Sequence, residues 1–430
     1  MNEDFLHYIW KFQQFIHFGL QTAGNEPIQV LKTGRHNQNA GPDFLDARIR
    51  IGDTIWAGNV EIHINSSDWH KHNHSIDKAY DNVILHVVYT NDATVTTSSG
   101  EPIPVLCIKD LFDYQTFRQY KLWLKTASFI PCENNVRDVP ELIKTSALEL
   151  AAIDRLETKS QFCLDYLNET RGDIEDTFYR VLLRSFGLKV NALPFEHLAR
   201  ITPISLVRKV WNNVSELEAL FLGQAGFLTD LVSDESYVHE LKRIYAFQKA
   251  KHGLQSMPLS GWKLFRLRPQ NFPQVRLAQL ARFYARWGAV SQIVTEAKTT
   301  TEVLKLFDIV LEDQFWMRHY TLEKSSKPVI KSIGLATSEL ILINAVVPFL
   351  FALSAYNKDE TYQERAMAFL EDIEPESNTV VKKFQDLLFP AKSALDTQGM
   401  IHQKQFMCDP RKCLNCKVGI HILKAYAKTH

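Results

Sequence analysis

Apolar side chains recur at spacings of three and four through Phe5, Tyr8, Ile9, Phe12, Phe15 and Ile16, which predicts an amphipathic helix over residues 3–20. The period then changes. Ile28 to Leu31 reads as a short strand, Phe44 to Ile51 alternates through Leu45, Ala47, Ile49 and Ile51, and Thr54 to Ile64 alternates through Ile55, Ala57, Val60, Ile62 and Ile64. Gly52-Asp53 between the last two is a hairpin turn signal. A short polar segment, Ser75 to Tyr80, precedes the β-branched strand Val83 to Tyr89, and Ile103 to Ile108 reads as one more strand. The order is helix, three strands, short helix, strand and an appended strand, which makes a mixed α/β sheet with helical cover. From about Val139 the strand signals fade and helical periodicity dominates, punctuated by Pro/Gly turns. The expected division is an α/β domain at 1–112, a linker at 113–139, an α-helical domain at 140–400 and a Cys-rich module at 401–430.

Composition changes this picture little. Of 430 residues, 45% are apolar and 23% charged, which excludes a disordered chain. Lys+Arg and Asp+Glu both number 49, so nucleic-acid binding has to come from a local basic face. The segment MNEDFLHYIW is acidic where a secretory signal would be basic, and a cytoplasmic location is expected. The longest apolar stretch, Leu340 to Tyr356, is interrupted by Asn344 and Pro348 and falls short of the roughly 20 residues of a bilayer span, so a buried, kinked helix and no membrane partner are expected.

Chemistry concentrates before and on the third strand. Asp43 follows Gly41-Pro42, and Glu61 and His63 are two apart on a strand, so their side chains leave one face that Asp43 on the hairpin partner can also reach. Two carboxylates converging with a third polar group suit Mg²⁺ or Mn²⁺ and phosphodiester cleavage. Pro-Asp, a hairpin and then Glu-x-His resembles the signature of the PD-(D/E)XK nucleases, whose restriction-endonuclease-like αβββαβ core is similar to the element order above. The resemblance implies a metal-dependent nuclease in which Asp43 and Glu61 bind the ion and His63, standing where that family has lysine, orients or deprotonates water. A catalytically inactive nuclease fold that binds nucleic acid or protein is the alternative. A third reading is a zinc hydrolase, since His70, His72 and His74 would share a face if extended. His86, in an apolar strand, reads as a core histidine with access to the Glu61 face.

Three of the six cysteines crowd together as Cys408-x₄-Cys413-x₂-Cys416, a spacing for Zn²⁺ or an iron–sulfur cluster. A fourth ligand is needed, and His421, His402 and Cys132 are the candidates, of which only Cys132 completes an all-thiolate set. The arrangement is loosely similar to nuclease domains of helicase-nucleases and CRISPR-associated enzymes, in which one upstream and three C-terminal cysteines hold a 4Fe–4S cluster. It also looks a little like the cluster loop of DNA glycosylases. Cys107 and Cys163 read as packing residues.

Arg266, Arg268 and Arg276 are interleaved with Trp262, Phe265 and Phe272, a pattern that holds phosphates and stacks bases, so they are the candidate nucleic-acid contacts. The segments Gly34-Arg35-His36-Asn37, Ala40 to Phe44, Val60-Glu61-Ile62-His63, Ser67-Asp68-Trp69 and Asn82 to His86 together resemble a bacterial family known as domain of unknown function 2851. That resemblance, which extends to Arg268-Pro269-x-Asn271-Phe272-Pro273 and the terminal cysteines, implies no activity. A metal-dependent nuclease or nuclease-like protein with nucleic acid as partner is therefore the expectation from the residues themselves.

Overall fold

Helix α1, Glu3–Lys11, is shorter than its periodicity predicts because the backbone turns left-handed at Gln13 (φ 51°). Its inner face buries Phe5, Leu6, Ile9 and Trp10. The strands follow as β1 Ile28–Lys32, β2 Arg35–His36, β3 Phe44–Ile51, β4 Thr54–Asn65, β5 Val83–Thr90 and β6 Val105–Cys107. The computed structural model describes residues 1–265 and 267–426.

The sheet order is β1-β3-β4-β5-β6, with the two-residue β2 pairing β3. β1, β3 and β4 form an antiparallel meander around the Gly52 turn, and β5 and β6 then add in parallel. Mixed sheet and helical cover are as the alternation predicts. Between β4 and β5 lie helix α2, Asp68–Lys71, and 3₁₀ turns at His74–Ile76 and Lys78–Tyr80, with Trp69 and Tyr80 buried beside Val83 and Val88.

Two local features set the register near the end of β4. Pairing of β3 with β4 shifts between Phe44 and Ala47, where Asp46 is left-handed (φ 59°), a bulge that leaves Phe44 opposite Val60. A side chain at Gly58 would lie 2.6 Å from the Asn82 carbonyl oxygen and 2.5 Å from Ile84, so β5 can approach β4 only across a glycine.

The chain forms two compact units. The first comprises Met1–Ala147, Lys382–Pro390 and Ile401–His430; the second comprises Leu148–Val381 and Ala391–Met400. Residues 113–139, expected as a linker, carry helix α3, Tyr114–Lys125, whose Phe117 and Tyr120 pack on Phe5 of α1. The Cys-rich segment is not a separate module either, because helix Lys417–Tyr426 packs on α3 within the first unit.

The second unit is mainly helical around one large apolar core, with a ladder of two-residue strands at Val310–Leu311 and Lys331–Ser332. Its most apolar run, Leu335–Asn357, is long and apolar enough by length and composition to cross a membrane, yet 67% of its most apolar window is buried within the protein. Instead of a simple kink, the backbone widens into a π turn at Leu342–Val346 immediately before Pro348. The wider turn spares the helix the clash a proline makes with the carbonyl four residues back.

Candidate functional site

Asp43 and Glu61 are braced against each other. The Asp43 amide donates to Glu61 Oε2 (3.0 Å) and the Ile62 amide donates to Asp43 Oδ2 (2.9 Å), so each carboxylate is tied to the other's strand. Both follow from the antiparallel register, since Phe44 opposite Val60 places Asp43 opposite Glu61. Asp43 Oδ2 also lies 3.2 Å from His7 Nε2 on α1. Sequence reasoning missed His7; its signal was a histidine within the otherwise apolar run Phe5 to Ile9. Burial works against a charge on His7, but the hydrogen bond with Asp43 and the nearby carboxylates of Asp43, Asp4 and Glu3 outweigh it and raise its pKa.

The remaining oxygen of Glu61 faces histidines. Oε1 is 3.5 Å from His63 Nε2 and 3.3 Å from His74 Nε2, and His63 Nε2 is 3.1 Å from His72 Nδ1. His63, His72 and His74 present donor atoms within 4.8 Å of one another, the one such trio of ligating residues found among the described residues. His63 and His74 are buried while His72 is exposed, so the cluster meets solvent on one side.

The histidine stretch is not extended. Asp68–Lys71 is helical and Asn73 is left-handed (φ 62°), a conformation that asparagine tolerates, and this reversal turns His72 and His74 to the same side. His70 is thereby excluded and its Nε2 pairs with the Thr94 carbonyl at 2.9 Å. Tyr80 stacks on His74 with ring centroids 3.7 Å apart.

Behind the cluster, Glu61 pairs with His86 in the parallel β4–β5 register, and His86 Nε2 shares a hydrogen bond with His63 Nδ1 (2.9 Å). Burial, reinforced by His72 and His74, lowers the His63 pKa to about 4. Burial, then His63 and His74, lowers that of His86 to about 3. Both rings are neutral at neutral pH, the form that ligates a metal. Burial raises the pKa of Glu61, Asp43 adds to the rise, and the His74 hydrogen bond opposes it.

His7, the partner of Asp43, lines a cleft of about 420 Å³ together with His36, the aromatic rings of Tyr8, Phe12 and Tyr120, and the cations of Lys11, Arg411 and Lys412. All of these residues belong to the first unit. The expected arginine surface has a different fate. Arg266 lies outside the described residues, and Arg268 is exposed. Arg276 is buried, donates to Asn271 Oδ1 (2.6 Å) and Gln279 Oε1 (3.0 Å), and has its pKa pushed down to about 10 by burial. Arg276 is therefore a core residue of the second unit, not a surface contact.

Of the cysteine candidates, Cys132, Cys408, Cys413 and Cys416 line one cavity, whereas His421 and His402 are not among its lining residues. Cys163 is buried as expected, and Cys107 donates to the Tyr89 carbonyl (3.3 Å).

Mixed α/β sheet, helical remainder and a buried histidine–carboxylate centre thus define the class of molecule. The chain belongs to the family described as protein of unknown function DUF2851, whose model matches residues 3–379. The match takes in Asp43, Glu61, the histidines and Cys132 and stops before Cys408. No curated protein and no solved structure matches the chain.

Proposed function

We propose that this protein is a metal-dependent hydrolase of phosphodiesters, a nuclease-like enzyme whose centre is Glu61, His63, His72 and His74. The observation that carries the reading is the convergence of the His63, His72 and His74 imidazoles, two of them against Glu61 Oε1, with a neutral second histidine backing His63. Imidazole donors favour zinc or another transition ion over magnesium, so the centre departs from the expected Mg²⁺ site on Asp43 and Glu61. Three protein ligands with a carboxylate alongside is the composition of hydrolytic metal sites, which keep one position for water. The ion, when held by the three histidines, would polarise a phosphoryl oxygen and acidify that water.

The protein's own groups divide the remaining work. His86 fixes the ring of His63 through its other nitrogen. Asp43 holds Glu61 through the paired backbone bonds, and Glu61 accepts the proton of the attacking water. His7, oriented by Asp43 and facing the cleft, delivers a proton to the leaving oxygen. Lys11, Arg411 and Lys412 supply the phosphate contacts expected earlier of the arginine segment, with aromatic rings for bases. The antiparallel meander followed by a parallel strand, with a helix before and a short helix between, supports the restriction-endonuclease-like αβββαβ resemblance.

The test is cleavage of single- and double-stranded DNA and RNA by the purified chain with Mn²⁺, Zn²⁺ or Mg²⁺, beside His72→Ala, Glu61→Gln and His70→Ala. Loss of cleavage in the first two with retention in the third is expected. Cleavage that survives both His72→Ala and Glu61→Gln would sink the assignment. Bound zinc without cleavage of any polymer would point to a zinc hydrolase of other substrates, and neither metal nor cleavage to a binding scaffold.

A further inference from the structure

Four thiols meet in the first unit, three of them crowded together in sequence and the fourth, Cys132, far upstream. Cys132, Cys408, Cys413 and Cys416 surround one cavity whose remaining wall is mostly apolar, with Phe384 and Phe389 on it, and all four are free thiols. Four thiols gathered in a mostly apolar pocket gain little from one another as neutral groups, whereas a cation turns the same gathering into a ligand set.

Cys416 is already furnished for that state. Gln403 Nε2 donates to its sulfur at 3.0 Å, and the backbone N–H groups of Val418 and Gly419 also hydrogen-bond to it. A thiol is a weak acceptor, whereas a cluster thiolate uses such donors to set its stability and potential. Gly419 can hold this position because a side chain there would meet the Cys413 carbonyl oxygen at 2.3 Å.

The spacing separates one ion from a cluster. Four thiolates around a single zinc stand about 3.8 Å apart, the edge of a tetrahedron with ~2.3 Å bonds. Among the described residues, however, the group placed to hold a single ion is His63, His72 and His74, and the four cysteines form no such group. A cluster in which each of four irons takes one thiolate spreads its ligands more widely. We propose that Cys132, Cys408, Cys413 and Cys416 hold a 4Fe–4S cluster, with Cys132 as the fourth ligand in place of His421. Transfer of a preformed 4Fe–4S cluster onto the site releases four protons, one from each thiol, to solvent. The cluster is structural: the loop it pins carries Arg411, left-handed at φ 56° and donating to the Thr126 carbonyl at 2.8 Å, and Lys412, both on the wall of the cleft.

The proposal is independent of the hydrolase reading and is tested without activity. The full chain is purified anaerobically and assayed for iron, acid-labile sulfide, zinc and visible charge-transfer absorption, beside Cys132→Ser, His421→Ala and Cys163→Ser. About four irons and four sulfides per chain are expected in the wild type, His421→Ala and Cys163→Ser, and a loss of both from Cys132→Ser. Because Cys132→Ser could fail to fold, the wild type is also stripped and reconstituted with iron and sulfide while folding is followed by circular dichroism. One zinc per chain with no iron, or a folded wild type that takes up neither iron nor sulfide, would overturn the proposal.

Discussion

His63 and His86 meet because β4 and β5 lie side by side in register, whereas Cys132 and Cys408 meet only after most of the chain has been laid down. The first centre is preassembled: Asp43, Glu61, His63 and His86 are held by strand pairing and by hydrogen bonds among themselves before any ion arrives. The second has little beyond packing and the donors on Cys416 to hold its sulfurs. An ion at the histidines should therefore add chemistry and little stability, and a cluster at the cysteines should add stability and little chemistry.

The sharpest break in this comparison is His72→Ala, which should lower cleavage at least ~100-fold, since even supporting residues of a metal site carry 10–100-fold. Its melting temperature should stay within a few degrees of wild type; a collapse of folding would show that the ion holds the sheet together. Cys132→Ser should do the reverse, costing about 2–4 kcal/mol of stability while the protein, once folded, still binds zinc or manganese by metal analysis. Next comes His86→Phe, which keeps the bulk but removes the partner of His63 Nδ1. A ~10–100-fold loss of metal affinity by titration is expected, and unchanged affinity would mean that packing alone orients His63.

Lys412→Ala links the two centres. If the cysteine loop delivers a phosphate contact to the cleft, the substitution should weaken nucleic-acid binding and reduce the salt dependence by about one contact; an unchanged slope would detach the loop from the substrate. The smallest effect is a contrast in the second unit. Lys159, donating to Asn344 Oδ1 (2.7 Å) and Gln398 Oε1 (2.9 Å), has its pKa lowered to about 7 by burial and then by Arg155, against the pull of Glu376. Here a buried cation is neutralised rather than used to gather ligands. The unfolded chain binds this proton up to about pH 10, so the unfolded state holds more protons above pH 7 and the group's contribution to stability rises from about pH 7 towards 10. Lys159→Met should flatten that part of the dependence of melting temperature on pH.

Strand alternation from Phe44 to Ile64 and the hairpin at Gly52 were legible because a half-buried strand repeats every two residues. So was the pairing of Glu61 with His63, which needs only that period. The trio with His72 and His74 was half legible: the histidines were visible, but their convergence depends on one left-handed Asn73 rather than on any periodicity. His7 could not be placed, since which helix covers Asp43 is a matter of tertiary packing. Cys132 was readable only as one of three alternatives, because no local pattern ties it to residues so far ahead. The arginine segment misled for a related reason: Arg276 interleaves with aromatics as a surface contact would, yet it is paired inside a core.

The first unit draws on both ends of the chain, and this has a consequence in time. Ribosomes add about 5–20 residues per second, so the roughly 250 residues between Ala147 and Ile401 take ~12–50 s to appear. Over that interval the strands bearing Glu61, His63 and His86 are complete and able to pair, while Cys132 waits with its thiol and apolar neighbours unclaimed. An ion held by the histidines needs only residues made before Cys408, whereas a cluster held by all four thiols can form only after Cys416 has been made. The nascent chain therefore passes through a stage in which one centre is ready and the other exists only as a single reduced sulfur in need of protection.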